Sequence, residues 1–132
     1  MSGQTLEVYV AFGQRRGNDP LHWILLVAPS GSDRCTWYHV TGGPTQGTDY
    51  TLMIQANKRV NSLGIASKEL IGTIQEKETN KLKSSAQKAG LQQCQRWTCD
   101  VIEDLERKRL IVAGTAETYR SRIESSHHEE TT

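Results

Sequence analysis

Three residues of this chain have the types and the order to carry acyl-transfer chemistry: Cys94, His22 and His39. A thiol is a modest nucleophile toward a carbonyl carbon and a thiolate a strong one. An imidazole within reach takes the thiol proton and later returns it to a leaving group. A second polar residue beyond that imidazole fixes its tautomer, a role open to His39. Cys94 lies in "LQQCQRWTCDVIEDLERK", Leu91 to Lys108, on the first turn of what reads as a helix. There the macrodipole and the unpaired N–H groups favour a thiolate. The N–H of Cys94, with the side chain of Gln92 or Gln93, could hold the oxyanion of a tetrahedral intermediate. Taken alone, a cysteine at such a position is more often a small buried hydrophobe, and a histidine such as His22 more often a core residue bonded to backbone.

For these residues to meet, an early sheet must fold against a late helix, and the patterning is of that kind. "TLEVYVAFG" alternates, with Leu6, Val8, Val10 and Phe12 on one face. "LHWILLVA" is apolar on both faces, as a central strand is. "DRCTWYHVT", "YTLMIQAN" and "KELIGTIQ" read as further strands. The period changes at "ETNKLKSSAQKAG", a short helix capped by Thr79 or Asn80 and ended by Gly90. A long helix from about Gln92 to Arg109 follows, with Cys94, Trp97, Val101, Ile102 and Leu105 on its apolar stripe. "LIVAG" suits a brief strand or a packed extension. Strands first and helices last predict an α+β domain: an antiparallel sheet of about five strands with C-terminal helices packed on one face. It would occupy residues 1–114, with 115–132 a polar extension, helical and then frayed at "ESSHHEETT".

Pairing the second and third strands places the histidines. With a turn at Pro29 to Ser32, Leu26 faces Cys35, Ile24 faces Trp37 and His22 faces His39, all on one sheet face. A slip of one residue would break the pairing. The long helix is expected to cover this face and bring Cys94 to His22. Trp23, Trp37 and Trp97 would line the pocket. Cys99, five residues from Cys94, is expected to point away from it, inert or partly exposed.

This combination resembles the circularly permuted papain-like proteins, which include the lecithin retinol acyltransferase-like group and relatives of the NlpC-like cell-wall peptidases. The pieces that carry the resemblance are "HW" at His22–Trp23, "YHV" at Tyr38–Val40 and "CQRW" at Cys94–Trp97, within a span of about Thr5 to Leu110. The "LHW…CQxW" pattern also resembles small uncharacterised fungal proteins that share this fold. The resemblance implies Cys94 as nucleophile, His22 as base and His39 as orienter. It implies a hydrolase or acyltransferase working through an acyl-enzyme on a small-molecule or peptide amide, ester or thioester, with no cofactor. Acyltransferase relatives commonly carry Asn before the cysteine, where this chain has Gln93. The alternative is the same fold kept as a non-catalytic binding or interaction module, with Cys94 merely buried.

Composition narrows the remaining classes. The 132 residues suit one domain, and 16 basic residues against 15 acidic ones give a net charge of +1. That balance makes no electrostatic case for nucleic acid or an anionic membrane. The start "MSGQTLEVYV" does not read as a secretory signal, and no apolar run approaches a membrane span. Three cysteines, Cys35, Cys94 and Cys99, are an odd number without paired spacing, so reduced thiols in the cytoplasm are expected. Two cysteines with two histidines are too scattered for a zinc site.

Overall fold

The computed structural model describes residues 4–14, 21–43 and 48–124. The expected loops over 15–20 and 44–47, and the tail beyond 124, lie outside the described residues. Five strands come first: β1 (Thr5–Gly13), β2 (Trp23–Pro29), β3 (Arg34–Gly43), β4 (Thr48–Arg59) and β5 (Ile65–Gln75). They form one antiparallel sheet in the order β4-β3-β2-β1-β5. Helices α1 (Thr79–Lys88), α2 (Cys94–Arg107) and α3 (Thr115–Arg120) follow. The fold is therefore α+β, an open five-stranded antiparallel sheet with helices. β2 lies at the centre, and its residues Trp23 to Ala28 are buried on both faces, as their unbroken apolar run requires.

Each face of the sheet builds its own core. Toward the helices, Leu6, Val8, Val10, Phe12, Trp23, Leu25, Val27, Tyr38 and Val40 pack with Trp97, Val101, Ile102 and Leu105 of α2. The opposite face buries Ala11, Ile24, Leu26, Ala28, Cys35 and Trp37, with Tyr9, Val60 and Ile65 against them. No helix residue belongs to this second cluster, so α2 does not cover the face expected of it. Tyr9 of β1, Ile65 of β5 and Val60 of the β4–β5 connection pack against that face. Strands β4 and β5 are consecutive yet occupy opposite edges, which in a flat sheet would stand about 19 Å apart. Only residues 60–64 join them, and these include a tight turn in which the Ile65 N–H donates to the Ser62 carbonyl at 3.0 Å. Trp37 Cη2 lies 3.7 Å from where a Cβ on Gly64 would sit, so the connection rests on the second cluster. Register shifts at Val8/Tyr9, Phe12/Gly13, Cys35/Trp37 and Thr41/Gly43 supply the extra twist.

The β2–β3 register also differs from expectation. Leu26 pairs with Trp37 and Leu25 with Tyr38, a shift of two residues from the pairing of Leu26 with Cys35. Pro29 is the last strand residue rather than the first of the turn. An even shift preserves which side chains share a face, whereas an odd one would have exchanged them. His39 therefore stays on the face predicted for it.

Helix α1 starts one turn differently than the capping pattern suggested. A 3-10 turn at Glu76–Glu78 precedes it, with a capping box in which the Gln75 N–H donates to Glu78 Oε1 at 2.8 Å. Thr79 is thus the first helical residue, not the cap. Asp104 ties α1 to α2, accepting from the Ser85 hydroxyl at 2.6 Å and pairing with Lys108 at 3.2 Å. After α2 the chain turns through Arg109, at φ 61°, and Gly114, at φ 96°; "LIVAG" forms no strand but a packed extension, with Ile111 buried in the main core. Residues 115–124, expected as an appended segment, carry α3, whose Ala116 and Tyr119 are buried in the main core. The Tyr119 hydroxyl donates to Glu69 of β5 at 2.6 Å, and Arg122 pairs with the same carboxylate at 2.7 Å. Among the described residues, no helix is long and apolar enough to cross a membrane.

Candidate active site

His22 immediately precedes β2, and His39 lies on β3. Continuing the observed register sets Ile24 opposite His39, which makes the two histidines diagonal neighbours. Their rings meet edge to face, with centroids 4.9 Å apart and His22 Nε2 2.7 Å from His39 Nδ1. The other nitrogen of His39, Nε2, lies 2.9 Å from Gln55 Oε1 on β4. Trp37 stacks edge-on to His39 at 5.8 Å, on the side away from the helices. His39 is buried, and that burial holds its pKa below the ordinary imidazole value; the Gln55 hydrogen bond offsets part of this, and the Lys58 charge adds to it. A neutral His39 has one donor and one acceptor nitrogen. The carbonyl of Gln55 can only accept, so His39 Nε2 carries the hydrogen and Nδ1 the lone pair. His22 Nε2–H then donates to that lone pair.

Cys94 opens α2, where Gln93 is the N-cap and accepts from the Arg96 N–H through Oε1 at 3.2 Å. The sulfur rests on the backbone at the start of β2. Its thiol donates to the Leu21 carbonyl at 3.9 Å, and the Trp23 N–H hydrogen-bonds toward it. These two groups flank His22 in the chain. The hydrogen bond of the thiol thus goes to a carbonyl rather than to an imidazole. Burial pushes the Cys94 thiol up from its ordinary pKa, against the pull of the Trp23, Gln95 and Cys94 N–H groups; the Glu124 carboxylate adds to the rise. The expected lowering at a helix N-terminus is present but smaller than the cost of desolvating a thiolate.

Several expected roles change. Gln92 donates to Asp100 Oδ2 at 2.6 Å and Gln93 caps the helix, so both side chains are committed within α2 rather than presented to an oxyanion. Trp23 and Trp97 are core residues under the helices, and the Trp97 indole donates to the Ala86 carbonyl at 3.3 Å. Of the three tryptophans, Trp37 is the one whose ring packs edge-on against His39. Of the two readings of Cys99, inert or partly exposed, the first holds: it is fully buried, and burial raises its thiol to about 11. All three cysteines are free thiols. Among the described residues, no group of three or more His, Cys, Asp or Glu is placed to hold a metal ion. A cleft of about 340 Å³ lies between α1 and α2, lined by Ser85, Lys88 and Asp104 among others; it does not reach Cys94.

One residue of the site escapes the sequence reading. Gln95 is fully buried beside Cys94. Its amide nitrogen donates to the Leu21 carbonyl at 2.9 Å and to Glu124 Oε2 at 3.1 Å, and its oxygen accepts from the Glu124 N–H at 2.6 Å. The Leu21 N–H donates to the same carboxylate at 3.1 Å. The segment after α3 is thereby pinned against the residues that seat the thiol. A signal existed: Gln95, Thr98, Ile102 and Leu105 are spaced three or four apart, a buried stripe that an apolar-only search passes over.

The chain matches none of the curated proteins and none of the solved structures. Residues 8–112 match a family of unknown function, DUF6540, over a span that runs from β1 past the end of α2 and includes His22, His39, Gln55 and Cys94. On that match, the chain belongs to the family of unknown function DUF6540.

Proposed function

We propose that this domain is a thiol enzyme of the permuted papain-like kind, a hydrolase or acyltransferase acting on amides, esters or thioesters. The observation that carries the reading is the seat of Cys94. A sulfur at a helix start is held by the peptide groups on both sides of a histidine whose ring is oriented by a second buried histidine. In the proposed reaction the thiol leaves the Leu21 carbonyl, to which it donates at rest, and its proton passes to His22 Nδ1 as Sγ attacks the substrate carbonyl carbon. The tetrahedral oxyanion accepts from the Cys94 N–H. It collapses with the proton of His22 going to the leaving amine, alcohol or thiol, which departs and leaves an acyl-enzyme. Water, or an acceptor amine, then attacks with His22 again as base, and the thiol is restored. Since burial holds the thiol protonated at rest, the base acts during attack rather than on a preformed thiolate.

A second reading, a non-catalytic binding module, draws support from the same raised thiol, because a buried protonated sulfur is also what structural filler looks like. Iodoacetamide labelling of the native protein separates the two. The enzyme reading expects Cys94 to label without denaturant, at a rate that climbs with pH above neutrality. It expects His22→Ala to lower that rate on the order of ten-fold or more at neutral pH. Labelling of Cys94 only after unfolding, or an unchanged rate in His22→Ala, would remove the catalytic reading.

A further inference from the structure

We infer that Gln55 is a positioning residue that acts through His39 to set which nitrogen of His22 is basic. The inference rests on the thiol-enzyme reading for its purpose but not for its geometry. Gln55 pairs with Trp37 across β3 and β4, one step diagonal from His39, so the sheet presents its amide to the far side of the imidazole. The three groups form an unbroken line, with His22 Nε2 2.7 Å from His39 Nδ1 and His39 Nε2 2.9 Å from Gln55 Oε1. In such a line every donor must face an acceptor. An oxygen at the Gln55 end forces Nε2–H on both rings and leaves the lone pair of His22 on Nδ1. A donor at that end would force the reverse, with Nδ1–H on both rings and no basic nitrogen at Nδ1. One amide, two rings away, therefore decides whether His22 can accept a proton there.

The choice of an amide over a carboxylate has a physical reason. An ionised Glu at this position would favour an imidazolium in a buried site, whereas a neutral acceptor orders the tautomers and leaves both rings uncharged. His39 is 6% exposed, so its Nε2–H has little water to turn to once the acceptor is gone. Removal of the Gln55 oxygen should then move the hydrogen of His39 to Nδ1, where it can donate to His22, and so reverse the line.

The test is nitrogen NMR of the full chain with labelled histidine, at about pH 8 where an ordinary imidazole is neutral. The wild type should show pyrrole-like Nε2 and pyridine-like Nδ1 for both His22 and His39. Gln55→Leu should convert both rings to the Nδ1–H form and slow Cys94 alkylation as much as loss of the base does in His22→Ala, on the order of ten-fold or more. Nδ1–H on His22 in the wild type overturns the inference, and so do tautomers unchanged in a folded Gln55→Leu variant. Should Cys94 be inert in the wild type while the tautomers follow Gln55, the enzyme reading falls and the control of the tautomers by Gln55 stands.

Discussion

Asp104 is the junction through which α1 braces α2, and its removal should be legible as a pH-dependent loss of stability. Its carboxylate lies about 15 Å along the helix from Cys94. It is almost fully buried, with 8% of the side chain exposed. The Ser85 hydroxyl, then Lys108 and Lys88, draw its pKa from 3.8 down to about 2, against the opposing effect of burial. Each unit is worth about 1.4 kcal/mol. A group whose folded pKa is depressed contributes stability that is fully present above the unfolded pKa and lost as pH falls through the folded one. The shift to about 2 corresponds to roughly 2–3 kcal/mol. Water screens the Lys88 partner, whose side chain is 69% exposed, so about 2 kcal/mol is the better figure. Asp104→Asn should therefore unfold at lower urea than the wild type at pH 7, by about 2 kcal/mol. The gap should close between about pH 4 and pH 2 as the wild-type carboxyl is protonated. Equilibrium urea unfolding of both proteins across that range isolates the term, because all other carboxyl groups cancel in the difference. A gap that stays constant from pH 7 to pH 2 would refute the reasoning, since it would locate the cost in packing rather than in the charge.

Two further outcomes follow from the packing. Trp97→Ala empties the middle of the main core and should cost about 3–5 kcal/mol in the same urea measurement; a loss below about 1.5 kcal/mol would mean that Trp97 is not the centre of that cluster. Gln95→Ala removes the amide that holds both Leu21 and Glu124, at a cost of about 1–3 kcal/mol. It should also expose the chain beyond Tyr119 to limited proteolysis before the rest of the domain, and an unchanged cleavage pattern would show that the latch from Tyr119 and Arg122 to Glu69 suffices alone.

Much of this arrangement is written in local patterns. The alternation in β1, the unbroken apolar run of β2 and the three-or-four spacing of α2 each dictate an element, because burial on one face or two leaves that signature. The histidine pair was legible for a subtler reason. The predicted register was two residues out, yet period-two alternation returns the same side chains to the same face after an even shift. What local patterns could not show was the curl of the sheet. Nothing in "KRVNSLGIAS" states that β4 and β5 sit at opposite edges, and so sequence alone gives the face bearing Trp37 to α2, whereas Tyr9, Val60 and Ile65 pack against it. The same gap explains the tryptophans, since Trp23 and Trp37 take opposite faces and only one of those meets the histidines. The burial of Cys99 is not legible from a single apolar stripe, which leaves partial exposure open beside inertness. With α1 and α3 both packed on α2, its buried surface is wider than one sheet contact would need.

The seat of Cys94 has a consequence for how sequences of this kind can drift. Main-chain atoms of residues 21 and 23, not their side chains, contact the sulfur. Neither contact specifies a side chain at position 21 or 23, although the core holds Trp23 for its packing; proline at position 23, which has no N–H to offer, would break one of them. Two proteins that look unlike each other around the histidine could for that reason cradle the thiol in the same way.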